Sequence, residues 1–200
     1  MMNKNPNVEW EYRGKTDLMM GTDASSSEKW IGWISFGIVP LFLLYISNNG
    51  VVDWNVGQLV LVLVLAIDVG GGAVCNSLNS AKRFYHSSLK LNEGYWVAIL
   101  KQKMVFVLLH IHTIIVWIIF QPNSWVHGVL WYLLLLLFAL ILQKTPLYIR
   151  RPISILLIMI AILTNYYLIE PVPGLEWLVP LLFIKILYGR LVQEEPYRKS

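Results

Sequence analysis

Asp68 is the residue in this 200-residue chain whose surroundings most invite chemistry. It stands in LAIDVGGGAVCNSLNSAKRFYH (65–86), amid leucine and valine, with Gly70, Gly71 and Gly72 close behind. A carboxylate inside an apolar run is costly unless it faces a polar interior. Three adjacent glycines strip side chains from almost a full turn, so a helix or ligand can approach the backbone there. They also weaken the helix enough to kink or unwind it. Continued as a regular helix at about 100° per residue, the stretch places Cys75, Asn79, Lys82 and His86 within roughly 40° of Asp68. Asn76 and Arg83 flank that line. One polar stripe is thereby expected, running from Asp68 down to a basic patch of Lys82, Arg83 and His86.

His110 and His112 raise a metal question. Alternate residues of a regular helix point about 200° apart, so this His-x-His pair should not chelate one ion. His110 shares a helical face with Lys103, Thr113 and Trp117, which makes it the expected partner of Asp68. Its depth of roughly 9 Å from the inner boundary, against roughly 11–15 Å for Asp68, permits contact. The candidate binding set is Asp68, Gly71, Gly72, Asn76, Asn79 and His110. A metal, if one is used, would fall to Asp68, His86 and His110, leaving an open coordination position. No cofactor motif is evident. His127 and Asn165 read as interhelical hydrogen-bonding residues. The single cysteine, Cys75, excludes an intramolecular disulfide and an all-cysteine metal site.

The elements that must position these residues are set by hydropathy. The chain is 56% hydrophobic and 14% charged, with mean hydropathy +0.58, more apolar than one soluble core can hide. Spans of about 20 apolar residues cross a bilayer. Six segments approach that length: 30–48, 57–75, 104–120, 125–142, 153–169 and 174–190, the last interrupted by Pro180 and carrying Lys185. An all-α, polytopic membrane bundle follows, flanked by an N-terminal segment (1–29) and a tail (191–200). All 16 Lys and Arg residues fall before the first span, between the second and third, between the fourth and fifth, or at the C-terminal end. The alternate loops hold none. Retention of basic residues on the cytoplasmic side then predicts a plasma-membrane protein with both termini in the cytoplasm. The same distribution assigns the net charge of +4 to topology and anionic lipid headgroups rather than to nucleic acid. Trp30, Trp33, Trp54, Trp125 and Trp177 fall near span ends, as interfacial anchors do. The polar first 29 residues do not fit a cleavable signal peptide.

Several membrane-enzyme patterns are excluded. KTPLYIRRP (144–152) is similar to the opening motif of membrane phosphatidate phosphatases, whose histidine nucleophile comes later; no histidine follows His127 here. Alcohol phosphotransferases that use CDP-linked lipids need several aspartates to hold divalent metal, and Asp68 is the last aspartate of this chain. The Gly-x-Ser-Gly of rhomboid-like proteases is absent. The leading expectation is a carrier of a small solute, ion or proton, with Asp68 at its polar site. The alternatives are an intramembrane enzyme acting on a lipid, and an accessory or sensing subunit that binds a membrane partner or a second copy of itself.

Overall fold

The computed structural model describes residues 16–17, 19–89 and 93–193. Most of the N-terminal segment and of the tail, together with Lys90, lies outside the described residues. A two-residue hairpin, β1 (Thr16–Asp17) and β2 (Gly21–Thr22), precedes an otherwise helical chain. Helix α1 (Ser26–Asn48) starts four residues before the expected first span. Ser25 Oγ accepts the Glu28 N–H, and Glu28 Oε2 accepts the Ser25 N–H at 2.8 Å, so two orphan donors are satisfied together. Glu28 Oε1 also accepts the Ser80 N–H at 2.9 Å, tying the start of α1 to the segment after the second span.

Helix α2 (Val56–Cys75) opens on a similar box between Asn55 and Gln58. From Ala66 to Gly71 it widens into a π-helical stretch, with Asp68 inside. Such bulges often mark functional sites. The glycines explain what fits beside it. A Cβ on Gly70 would lie 2.8 Å from Val39 Cγ2, one on Gly71 2.2 Å from Phe36, and one on Gly72 2.7 Å from Lys185 Cε. Span one and the last helix therefore press directly on the α2 backbone.

The continuous polar stripe beyond residue 75 does not form. The N–H groups of Asn76, Ser77 and Leu78 turn back to the carbonyls of Gly72, Val74 and Cys75, and Ser77 Oγ caps the Ala73 carbonyl at 2.8 Å. Leu78 is extended, and α3 (Asn79–His86) starts in a new direction. Helix α4 (Tyr95–Lys101) leads into a third span that is also broken. Its halves, α5 (Lys103–Leu108) and α6 (His112–Phe120), are separated by Leu109–Ile111, where Ile111 has ψ 16°. Helices α7 (Trp125–Lys144) and α8 (Leu147–Tyr167) are long and regular.

Five helical stretches are long and apolar enough to cross a membrane: those beginning at Ser26, Val56, Lys103, Pro122 and Leu147. The expected sixth span is shorter. Helix α9 comprises Leu178–Phe183 and a π-helical continuation, Ile184–Leu191, about 20 Å in all, and most of its residues are buried. Contacts at its two ends tie it to the neighbouring elements. At one end Gly174 packs against Trp54 and Val52, and Trp54 meets Phe120 edge-on. At the other, Arg190 reaches the Leu100 carbonyl, and Lys82 reaches the carbonyls of Tyr188, Gly189 and Val192. Trp131 and Phe138 pack edge-on against Phe183 at the centre. Large apolar side chains such as Leu41, Leu133 and Leu163 cover the outer faces, a surface suited to lipid.

Candidate functional site

Asp68 is held at the π-helical stretch of α2 and meets two other elements. Lys185 Nζ, from α9, donates to Asp68 Oδ2 at 2.7 Å, and His112 Nε2, from the first turn of α6, lies 3.0 Å from the same oxygen. Each element departs from a regular helix where it supplies its residue. The π-bulge re-aims Asp68, the break before α6 turns His112 inward, and α9 is π-helical from Ile184. Gly72 makes room for the Lys185 stem.

The three groups are unequally covered. The Lys185 side chain is 4% exposed and that of His112 17%, whereas that of Asp68 is 49% exposed. Asp68 opens onto a cavity of about 610 Å³. Its polar lining is Asp68, Asn76, Tyr85, His110, His112 and Lys185, and its apolar lining comes mainly from α1, α2, α4 and α5. The volume lies within the roughly 300–1,000 Å³ of sites that enclose one small molecule. At the inner end the Tyr85 hydroxyl donates to Asn76 Oδ1 at 3.5 Å, while Asn76 Nδ2 is buried without a hydrogen-bond partner. Behind Tyr85 the Arg190 guanidinium stacks 3.7 Å from the ring centroid. Ser35 and Cys75 approach to 3.9 Å nearby.

The expected partner of Asp68 was His110, and the structure places His112 there instead. His110 Nδ1 is engaged with the Phe106 carbonyl at 2.6 Å, although His110 lines the same cavity. The phase argument fails because the helix is interrupted between the two histidines. Their rings come within 5.1 Å of each other rather than pointing apart.

Of the other sequence candidates, Gly72 and Asn76 line the cavity, and Gly71 lies against Phe36. Asn79 begins α3 and is not part of the lining. The basic patch is internal rather than a surface for headgroups. Lys82 is 1% exposed and caps the end of α9, and Arg83 is 7% exposed and donates to the carbonyls of Thr22 and Asp23. His86 turns both ring nitrogens into buried positions without partners. Burial, together with the charges of Lys103, Lys82, Arg190 and Arg150, holds it well below the usual histidine range. Asp68, His86 and His110 do not assemble into a ligand set; among the described residues no group of three or more His, Cys, Asp or Glu is placed to share a metal ion. Asn165 does not bond to another helix: it donates to the carbonyl of Glu176, in the turn before α9, at 3.3 Å.

Lys185 was visible in the sequence only as a charge that weakened the sixth span. A lysine in one apolar segment and an aspartate in another are natural partners at membrane depth, and that complementarity was the available signal. His112 carried no such signal, because its inward aim depends on the break at Leu109–Ile111.

Taken together, the apolar helices and the central ion pair define an all-helical, membrane-embedded protein with an internal polar cavity. No family model, curated protein or solved structure matches the chain.

Proposed function

We propose that this protein is a proton-coupled membrane carrier for a small solute, with Asp68, His112 and Lys185 as its working site and both termini in the cytoplasm. The observation that carries this reading is the half-exposed carboxylate of Asp68 at a cavity, beside a fully buried lysine. A lysine and a histidine on one carboxylate oxygen hold it in place. A solute that hydrogen-bonds to Asp68 takes a share of the carboxylate that Lys185 and His112 otherwise hold, and the site answers by exchanging a proton. Apart from Lys185, the Lys and Arg residues fall in or at the edges of alternate connecting segments, which supports the orientation.

The geometry favours binding over catalysis. His112 faces Asp68 through Nε2, and its Nδ1 is buried without a partner. Neither nitrogen is therefore presented to a substrate, as a general base requires.

The test uses purified protein in liposomes that enclose a pH-sensitive dye, challenged in turn with amines, amino acids, sugars and short-chain amphiphiles. A proton response to at least one class that disappears in Asp68→Asn supports the reading. Identical traces from wild type and Asp68→Asn across the panel would overturn it.

A further inference from the structure

The walls of the cavity differ in kind from its centre. Val64 and Ile67 of α2 and Leu109 of the interrupted span all line it, yet they are 57%, 45% and 58% exposed. On a membrane-crossing helix, exposed residues of this type face hydrocarbon. Ile67 adjoins Asp68, and Val64 lies one turn away, so the mouth is at the level of the carboxylate and points sideways.

The hydrogen-bonding inventory of the centre is also specific. Both contacts to Asp68 fall on Oδ2, which leaves Oδ1 as an acceptor toward the cavity. Lys185 carries three N–H donors and spends one on Asp68. A free acceptor thus sits beside spare donors, in a pair whose charges already cancel. An added full charge would have no counter-ion there and would meet a desolvation penalty.

We infer that the ligand of this cavity is a single-chain amphiphile with an uncharged head that both donates and accepts hydrogen bonds (an alcohol, amide or undissociated acid), admitted sideways from the lipid between Ile67 and Leu109. This names the solute class for the carrier reading and rests on it only for the consequence of binding. The head donates to Asp68 Oδ1 and accepts from Lys185 Nζ, while the chain lies against Val64 and Leu109. A cavity of about 610 Å³ admits one such chain and excludes a two-chain phospholipid.

Electron paramagnetic resonance on the full chain in phosphatidylcholine nanodiscs tests this directly. Three nitroxide-labelled probes are compared: stearamide, stearyl-trimethylammonium and phosphatidylcholine. The stearamide should show a saturable immobilised population in the wild type. Ile67→Trp, which fills the mouth from a lipid-facing position, should weaken it by about tenfold or more, and Asp68→Asn should weaken it as well. Labelled phosphatidylcholine should show only a weak population that does not saturate and is indifferent to Ile67→Trp. Stearamide behaving like phosphatidylcholine, an unchanged affinity in Ile67→Trp, or tighter binding of the cationic probe would each overturn the inference. Saturable stearamide binding without any solute-driven proton movement would sustain this site and remove the carrier reading. A proton response confined to water-soluble solutes would do the opposite.

Discussion

Removing either partner of the Asp68–Lys185 pair should destabilise the protein, but unequally, and removing both should restore most of the loss. At 2.7 Å the gross attraction at an effective dielectric of 20 is about 6 kcal/mol, much of it offset by desolvation. The exposures decide the asymmetry. Asp68→Asn strands an ammonium whose side chain is 4% exposed, which should cost about 3–5 kcal/mol. Lys185→Met leaves a carboxylate that is 49% exposed and still held by His112 at 3.0 Å, for about 1–2 kcal/mol. Methionine also keeps the apolar contact of the lysine stem with Gly72. The double variant strands no charge, so its loss should fall well short of the sum, with a coupling energy of about 2–4 kcal/mol. Reversible unfolding by dodecyl sulfate in mixed micelles measures all four proteins. Additive losses, or a larger loss from Lys185→Met than from Asp68→Asn, would refute the description of a covered lysine serving an open carboxylate.

Other consequences are local. Gly71→Ala puts a Cβ 2.2 Å from the Phe36 ring and should lower stability by about 1–3 kcal/mol; Phe36→Leu in the same chain should recover part of it in the same unfolding assay. Lys82→Met removes donors from the carbonyls of Tyr188, Gly189 and Val192. It should cost about 3 kcal/mol or more and speed hydrogen exchange in 184–192 without affecting α7. His86 is held neutral in the folded protein, its proton affinity lowered by burial and by neighbouring cations. The unfolded chain therefore binds the extra proton first, so the stability contribution is complete above about pH 6.5 and is lost as pH falls toward the folded value. Melting temperature should drop below that pH in the wild type and drop less in His86→Leu.

The regular parts of the fold were legible because lipid imposes a simple rule on them. Helix α7 begins at Trp125 as expected, and α1 ends at Asn48 as expected. Asp68 and the glycines could be singled out for the same reason, since departures from an apolar run stand out. Periodicity failed where the helices themselves do. The expected stripe through Asn79, Lys82 and His86 assumed unbroken α-geometry past Cys75, and the chain turns at 76–78 instead. The choice of His110 assumed the same for 103–120, and the break at Leu109–Ile111 reverses it. Lys82 and Arg83 looked like surface charges because sequence shows a cation without showing the helix end or hairpin that takes its protons. The sixth segment is legible at 174–190, but it forms a shorter, mostly buried helix. Lys185 within it reads as a weakness of the span rather than as the partner of Asp68.

If Asp68 works through His112 and Lys185, solute-driven proton movement in liposomes distinguishes the side chains involved. Wild type, Asp68→Asn, His112→Gln and His110→Gln should be measured at equal protein density with the solute class that gives the strongest wild-type response. The response should be lost in Asp68→Asn and His112→Gln and largely retained in His110→Gln. Retention in His112→Gln together with loss in His110→Gln would contradict that assignment.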